Sequence, residues 1–139
     1  MKNSKSLKAI LFISGIIAVI IGGSILFMPA AFYAINSINL AGNISLLNEI
    51  RASGGALLAS GLLILSGAFV NKMTFTSTLL ASLLYIAYGL SRMLSFGLDG
   101  MPSDGLVEAA ILEIFIGIIC ITAFAKYRTK QETSHHDVF

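Results

Sequence analysis

The stretch AILEIFIGIICI occupies residues 110–121. Eleven of its twelve residues are apolar or glycine, and the twelfth is an acid, Glu113. It lies inside a longer apolar run, about residues 105–125. That run has the roughly 20 residues an α-helix needs to cross the hydrocarbon of a bilayer. Three more runs of similar length stand at about residues 7–28, 48–70 and 76–97. Each must be a helix, because lipid offers no hydrogen-bond partner to the edge of a strand.

Composition agrees. Of the 139 residues, 56% are hydrophobic and 12% are charged, the latter about half the share usual in a soluble domain. A soluble domain this small cannot cover so much apolar surface. The expected fold is therefore all-α, an antiparallel four-helix bundle integral to a membrane. The expected organisation is one domain over residues 1–128 and a polar cytoplasmic tail over 129–139. The lysines carry the first helix as a possible secretory signal, but its apolar core exceeds the usual length of about 7–15 residues. Phe32 also stands where a cut after Ala34 would want a small side chain. A retained helix is expected.

The cations orient the bundle. Lys2, Lys5 and Lys8 precede the first span, Lys72 sits in the turn between the second and third, and Lys126, Arg128 and Lys130 follow the fourth. The loops at 29–47 and 98–104 hold no lysine or arginine. The positive-inside rule places both termini and the middle turn in the cytoplasm. The 29–47 loop, with Phe32 and Tyr33, is expected to lie partly in the interface as a short amphipathic piece.

Small residues recur at packing spacing. Ser14, Ala18 and Gly22 fall four apart; Gly54, Gly61 and Ala68 fall seven apart; Ala56 and Ser60 fall four apart. Such rows let helix backbones approach closely in lipid. They serve equally for packing within the chain or between copies. Cys120 is alone, so no intrachain disulfide or Cys-x-x-Cys chemistry is available. It reads as a small packing residue. His135 and His136 lack partners for a metal. The formal charge of +2 and the absence of a basic run speak against nucleic acid. No metal or other cofactor is expected.

The charges inside the spans are the informative feature. Glu113 is about eight residues into the fourth span, roughly 12 Å down, near mid-membrane. A charge there costs about 2.5–3.5 kcal/mol. Roughly ten large apolar residues in that helix return about 0.3–0.6 kcal/mol each, so insertion survives. Glu108, Arg92, Arg51 and Glu49 also lie in the outer half, with Asp99 and Asp104 in the outer turn. The inner halves carry no charge. Arg92 sits about one turn above the level of Glu113 and can meet it through two parallel hydrogen bonds. A neutral, protonated Glu113 is the other solution, and both stay open. Tyr85, Gly89, Arg92 and Phe96 share one helix face; Glu113, Gly117 and Cys120 share another. The glycines leave room for a partner or a ligand.

With these residues assembled, the chain resembles a bacterial four-helix membrane family known as domain of unknown function 4345. The resemblance runs from the first helix to the fourth. It rests on Pro29 closing the first helix, on Arg51 with Gly54, Gly55 and Gly61, and on Gly89 and Arg92. The turn Asp99-Gly100 with Pro102, then Glu113 and Gly117, completes it. Leu90 and Ser91 separate the glycine from the arginine, and Glu108 is an extra acid. The resemblance implies an architecture and a choice of residues, not a chemistry, and a cell membrane location, the bacterial inner membrane.

The expected site is Arg51, Arg92 and Glu113, with Glu108 and Asp99 secondary. Gly54, Gly55, Gly61, Gly89 and Gly117 are expected to pack helices. The leading expectation for function is a non-enzymatic binding module or accessory subunit with this Arg/Glu cluster in its outer half. Small proton-coupled transport by an oligomer is the alternative. An enzyme lacks support, since no Ser-His-Asp set, metal cluster or phosphate loop is visible. Expected partners are the lipid bilayer, a lipid or small anionic ligand, and further copies of the chain.

Overall fold

Pro29 divides the first apolar run from the loop after it, since the residue before a proline is driven out of helical geometry. In the computed structural model, which describes residues 4–136 and side chains as far as Tyr127, α1 (Lys5–Phe27) ends just before it. Met28 takes φ −131° and ψ 50°. Pro29 then opens a short helix, α2 (Pro29–Ala34), a position where its missing N–H costs nothing. α3 (Ile44–Phe69) starts at Asn43, whose side chain accepts from the Leu46 N–H at 2.9 Å, satisfying one of the free donors of the first turn. A 3₁₀ turn (Asn71–Met73) leads into α4 (Thr74–Asp99), and Gly100 ends α4 at φ +98°, a conformation favouring glycine. α5 (Asp104–His136) remains helical along its backbone beyond the apolar run that ends near residue 125. Lys2 and the side chains of Arg128, Lys130, His135 and His136 lie outside the described residues.

Among the described residues, four helices are long and apolar enough to cross a membrane: Lys5–Phe27, Ile44–Phe69, Asn71–Asp99 and Asp104–Tyr127. No strand occurs among the described residues. Many large apolar side chains point outward, among them Ile13, Ile20, Phe27, Leu83, Leu94 and Phe115. Lipid is the solvent that suits such a surface.

The helices associate as two tight pairs. α1 and α3 meet on their small residues. Gly15 faces Leu65, Gly61 faces Ala18 and Val19, Gly22 faces Leu57 and Leu58, and Gly54 faces Ile25 and Leu26. Numbers rise along one helix as they fall along the other. A Cβ added to Gly61 would stand 2.7 Å from the Val19 nitrogen, and one added to Gly54 would stand 2.7 Å from the Leu26 nitrogen. The rows Ser14/Ala18/Gly22 and Gly54/Gly61/Ala68 are thus buried inside the chain, whereas Ala56 is exposed. α4 and α5 form the second pair, with Gly89 against Ile114 and Gly117 against Ile86.

Hydroxyl groups join the pairs at the end that holds the 3₁₀ turn. Ser77 Oγ donates to the Leu63 carbonyl at 2.7 Å, and Thr74 Oγ1 donates to the Gly67 carbonyl at 3.1 Å. Nearer mid-bundle, Tyr85 Oη donates to the Ser14 carbonyl, tying α4 to α1. Around them lies the larger core, with Leu7, Leu11, Ile64, Ala81 and Cys120 fully or almost fully buried. The smaller cluster of Ala18, Ile25 and Leu57 lies toward the other end. Leu84 and Tyr88 of α4 pack against it, and beside them a space opens between the two pairs.

Candidate functional site

The space between the pairs is a cavity of about 240 Å³. Helices α1, α3, α4 and α5 all contribute to its wall, and Phe32, Tyr33 and Asn36 border it from α2 and the loop after it. Ser103 Oγ donates to Asn36 Oδ1 at 3.1 Å, fastening that loop to the start of α5. Gly105 permits the approach, since a side chain there would collide with the Asn36 amide.

Arg92 and Glu113 stand in this wall. The guanidinium donates Nε–H to Oε2 at 2.7 Å and Nη2–H to Oε1 at 3.2 Å. The two side chains are 30% and 15% accessible, so the pair is sheltered without being sealed in. Two parallel bonds of this kind fix orientation as well as distance. Both residues reach the cavity because each helix carries a glycine close by. Gly89, one turn before Arg92, and Gly117, one turn after Glu113, let α4 and α5 approach. Most of the remaining wall is apolar, relieved by Tyr33, Tyr85, Tyr88, Asn36 and Ser53.

The five expected charged residues do not form one cluster. Arg51 is exposed and donates through Nη1 to the Leu26 carbonyl at the end of α1. It caps a helix whose last carbonyls lack partners. Asp99 is exposed and accepts from Ser95 Oγ at 2.8 Å. Glu108 is exposed on α5. None of these three borders the cavity. Of the expected packing glycines, Gly54, Gly61, Gly89 and Gly117 are in close helix contact, while Gly55 has only the Leu26 Cδ1 methyl, 4.0 Å from where its Cβ would be.

Sequence reasoning missed Tyr33, Asn36, Ser53 and Tyr88. Tyr88 was within reach, since Tyr85, Tyr88 and Arg92 recur at intervals of three and four along one helix face. Asn36 and Ser53 gave no signal, because polar residues near a membrane surface are ordinary. Among the described residues no group of three or more His, Cys, Asp or Glu side chains lies together as metal ligands would.

The family described as Domain of unknown function (DUF4345) matches residues 6–124, and the chain belongs to it. No curated protein and no solved structure matches the chain. Family and helices together make this a multi-pass membrane protein of unknown activity.

Proposed function

We propose that the protein is a non-enzymatic membrane-embedded binding module, whose ligand enters the cavity between the helix pairs beside Arg92 and Glu113. The observation that carries this reading is the position of the ion pair. A pair whose whole purpose is to fix helix neighbours belongs in a packed interface, where van der Waals contact adds to it. This one borders a void of about 240 Å³. Mostly apolar walls with a few placed polar groups are the usual make-up of a small-molecule site.

The surrounding frame is an antiparallel bundle, residues 1–128, with a tail at 129–139. Both termini and the turn at Lys72 face the cytoplasm of a bacterial cell, which puts the cavity in the outer half of the inner membrane. The paired numbering of α1 with α3, and of α4 with α5, supports that frame. Service as an accessory subunit, or assembly with further copies, is compatible with the module. Proton-coupled transport gains nothing from the geometry, since both Glu113 oxygens are held by Arg92.

The test is native mass spectrometry of the full chain released from membranes, beside the variant Ala109→Trp. Ala109 lines the cavity, and an indole there takes up a large part of it. The wild type is expected to carry a bound small molecule that the folded variant lacks. Identical spectra from both would sink the reading.

A further inference from the structure

We infer that the cavity takes an uncharged lipid with a hydroxyl head, such as a long-chain alcohol or a monoacylglycerol, and discriminates against phosphate- and carboxylate-bearing lipids. The inference rests on the binding reading above and specifies its ligand.

Charge is the first argument. Arg92 is the one cation among the residues lining the cavity, and Glu113 the one acid. Their charges stand 2.7 Å apart at the closest atoms. An anion close enough to profit from Arg92 is nearly as close to Glu113, so attraction and repulsion largely cancel. The cost of stripping water from that anion is then left without compensation. A cationic head meets the same cancellation with signs reversed. No second cation lines the cavity to tip the balance toward phosphate.

Hydrogen-bonding capacity is the second. Arg92 gives Glu113 one N–H from Nε and one from Nη2, which leaves other guanidinium N–H groups without a partner among the described residues. Each Glu113 oxygen retains a lone pair. Tyr33 and Tyr88 border the cavity, and their hydroxyls bond to nothing else among the described residues. No side-chain oxygen or nitrogen that lacks a partner is buried among the described residues, so these hydroxyls remain accessible. The site therefore offers donors and acceptors side by side. A hydroxyl group, which donates and accepts at once, matches that arrangement. A carboxylate or a fully ionised phosphate, which only accepts, does not.

The body of the ligand is set by the rest of the wall, which is mostly isoleucine, leucine and phenylalanine. Hydrocarbon fits it. A wholly apolar molecule would leave the Tyr33 and Tyr88 hydroxyls and the ion pair facing hydrocarbon, which is unfavourable.

The experiment uses the full chain in phosphatidylcholine nanodiscs and three photoactivatable probes of equal chain length: a C16 alcohol, a C16 alkyl phosphate and a C16 alkane. Labelled positions are read by mass spectrometry, with unlabelled probe as competitor. The alcohol is expected to label cavity-lining peptides saturably, with half-saturation at least about tenfold lower than the alkyl phosphate, a difference of roughly 1.4 kcal/mol. In Glu113→Gln the arginine loses its counter-charge, and the order of alcohol and phosphate is expected to reverse. A wild type that prefers the phosphate, or treats alkane and alcohol alike, overturns the inference while leaving a binding cavity in place. A folded Glu113→Gln that keeps the alcohol preference also overturns it. If no probe labels the cavity saturably, the binding reading falls and takes the inference with it. Should Glu113→Gln fail to fold, the three-probe comparison on the wild type decides alone.

Discussion

Arg92 and Glu113 join α4 to α5 by two hydrogen bonds, 2.7 and 3.2 Å long, at the edge of a cavity rather than inside a packed core. The pair is partly accessible, so it carries less than the 3–5 kcal/mol lost when one partner of a fully buried pair is removed.

Replacing either partner by an apolar residue of similar length leaves the other charge alone in a low-dielectric wall. Arg92→Met and Glu113→Leu are each expected to lose about 1–3 kcal/mol. The double variant is expected to lose less than the sum. Thermal unfolding of all four proteins in one detergent gives the coupling. Strict additivity would show that the two groups do not interact.

Adjacent glycines are expected to differ sharply. A Cβ on Gly22 would run into the Leu58 backbone, whereas one on Gly23 meets nothing within 4 Å. Backbone cannot move aside cheaply, so Gly22→Ala is expected to cost about 1–3 kcal/mol. Gly23→Ala should be neutral or slightly stabilising. Equal Tm values for the two variants would refute the close approach of α1 to α3.

Arg51 is expected to act on stability alone. Arg51→Met removes the donor to the Leu26 carbonyl and should cost about 0.5–1.5 kcal/mol. Labelling of the cavity by the alcohol probe should be unchanged. A variant with normal Tm and lost labelling would move Arg51 into the binding site.

Tyr85→Phe deletes the hydroxyl that bonds the Ser14 carbonyl between α4 and α1. Hydrogen bonds between membrane helices contribute about 0.6 kcal/mol on average, up to about 1.7, and a loss within that range is expected. Ser77→Ala, which removes the bond to Leu63 nearer the 3₁₀ turn, should be comparable. Both are read as shifts in Tm.

Much of the fold was legible because a membrane span declares itself locally. About 20 apolar residues, Pro29 and the polar turn around Gly100 fix each helix through its own backbone hydrogen bonds. The rows through Gly22 and Gly61 announced close packing, though not with what; α1 against α3 is a choice of partner that each helix makes only in the presence of the other. Glu113 was conspicuous for its cost in lipid, and Arg92 for opposite charge at nearly the same depth. Arg51 looked equivalent by sign and depth, yet it faces the end of α1 instead.

The sequence by itself determined the four apolar spans and the stretches where charge is tolerated, since hydropathy and helical hydrogen bonding act over a few residues; α5 runs on as helix past the end of its span. Only the tertiary structure decided that Arg92 finds Glu113, that Glu108 and Asp99 stay outside, and that Asn36, Ser53 and Tyr88 come to border one space. That space exists because glycines hold α1 to α3 and α4 to α5 while hydroxyl bonds join the pairs at one end. The width left at the other end is set by side chains distant in the chain, a sum that no local pattern encodes.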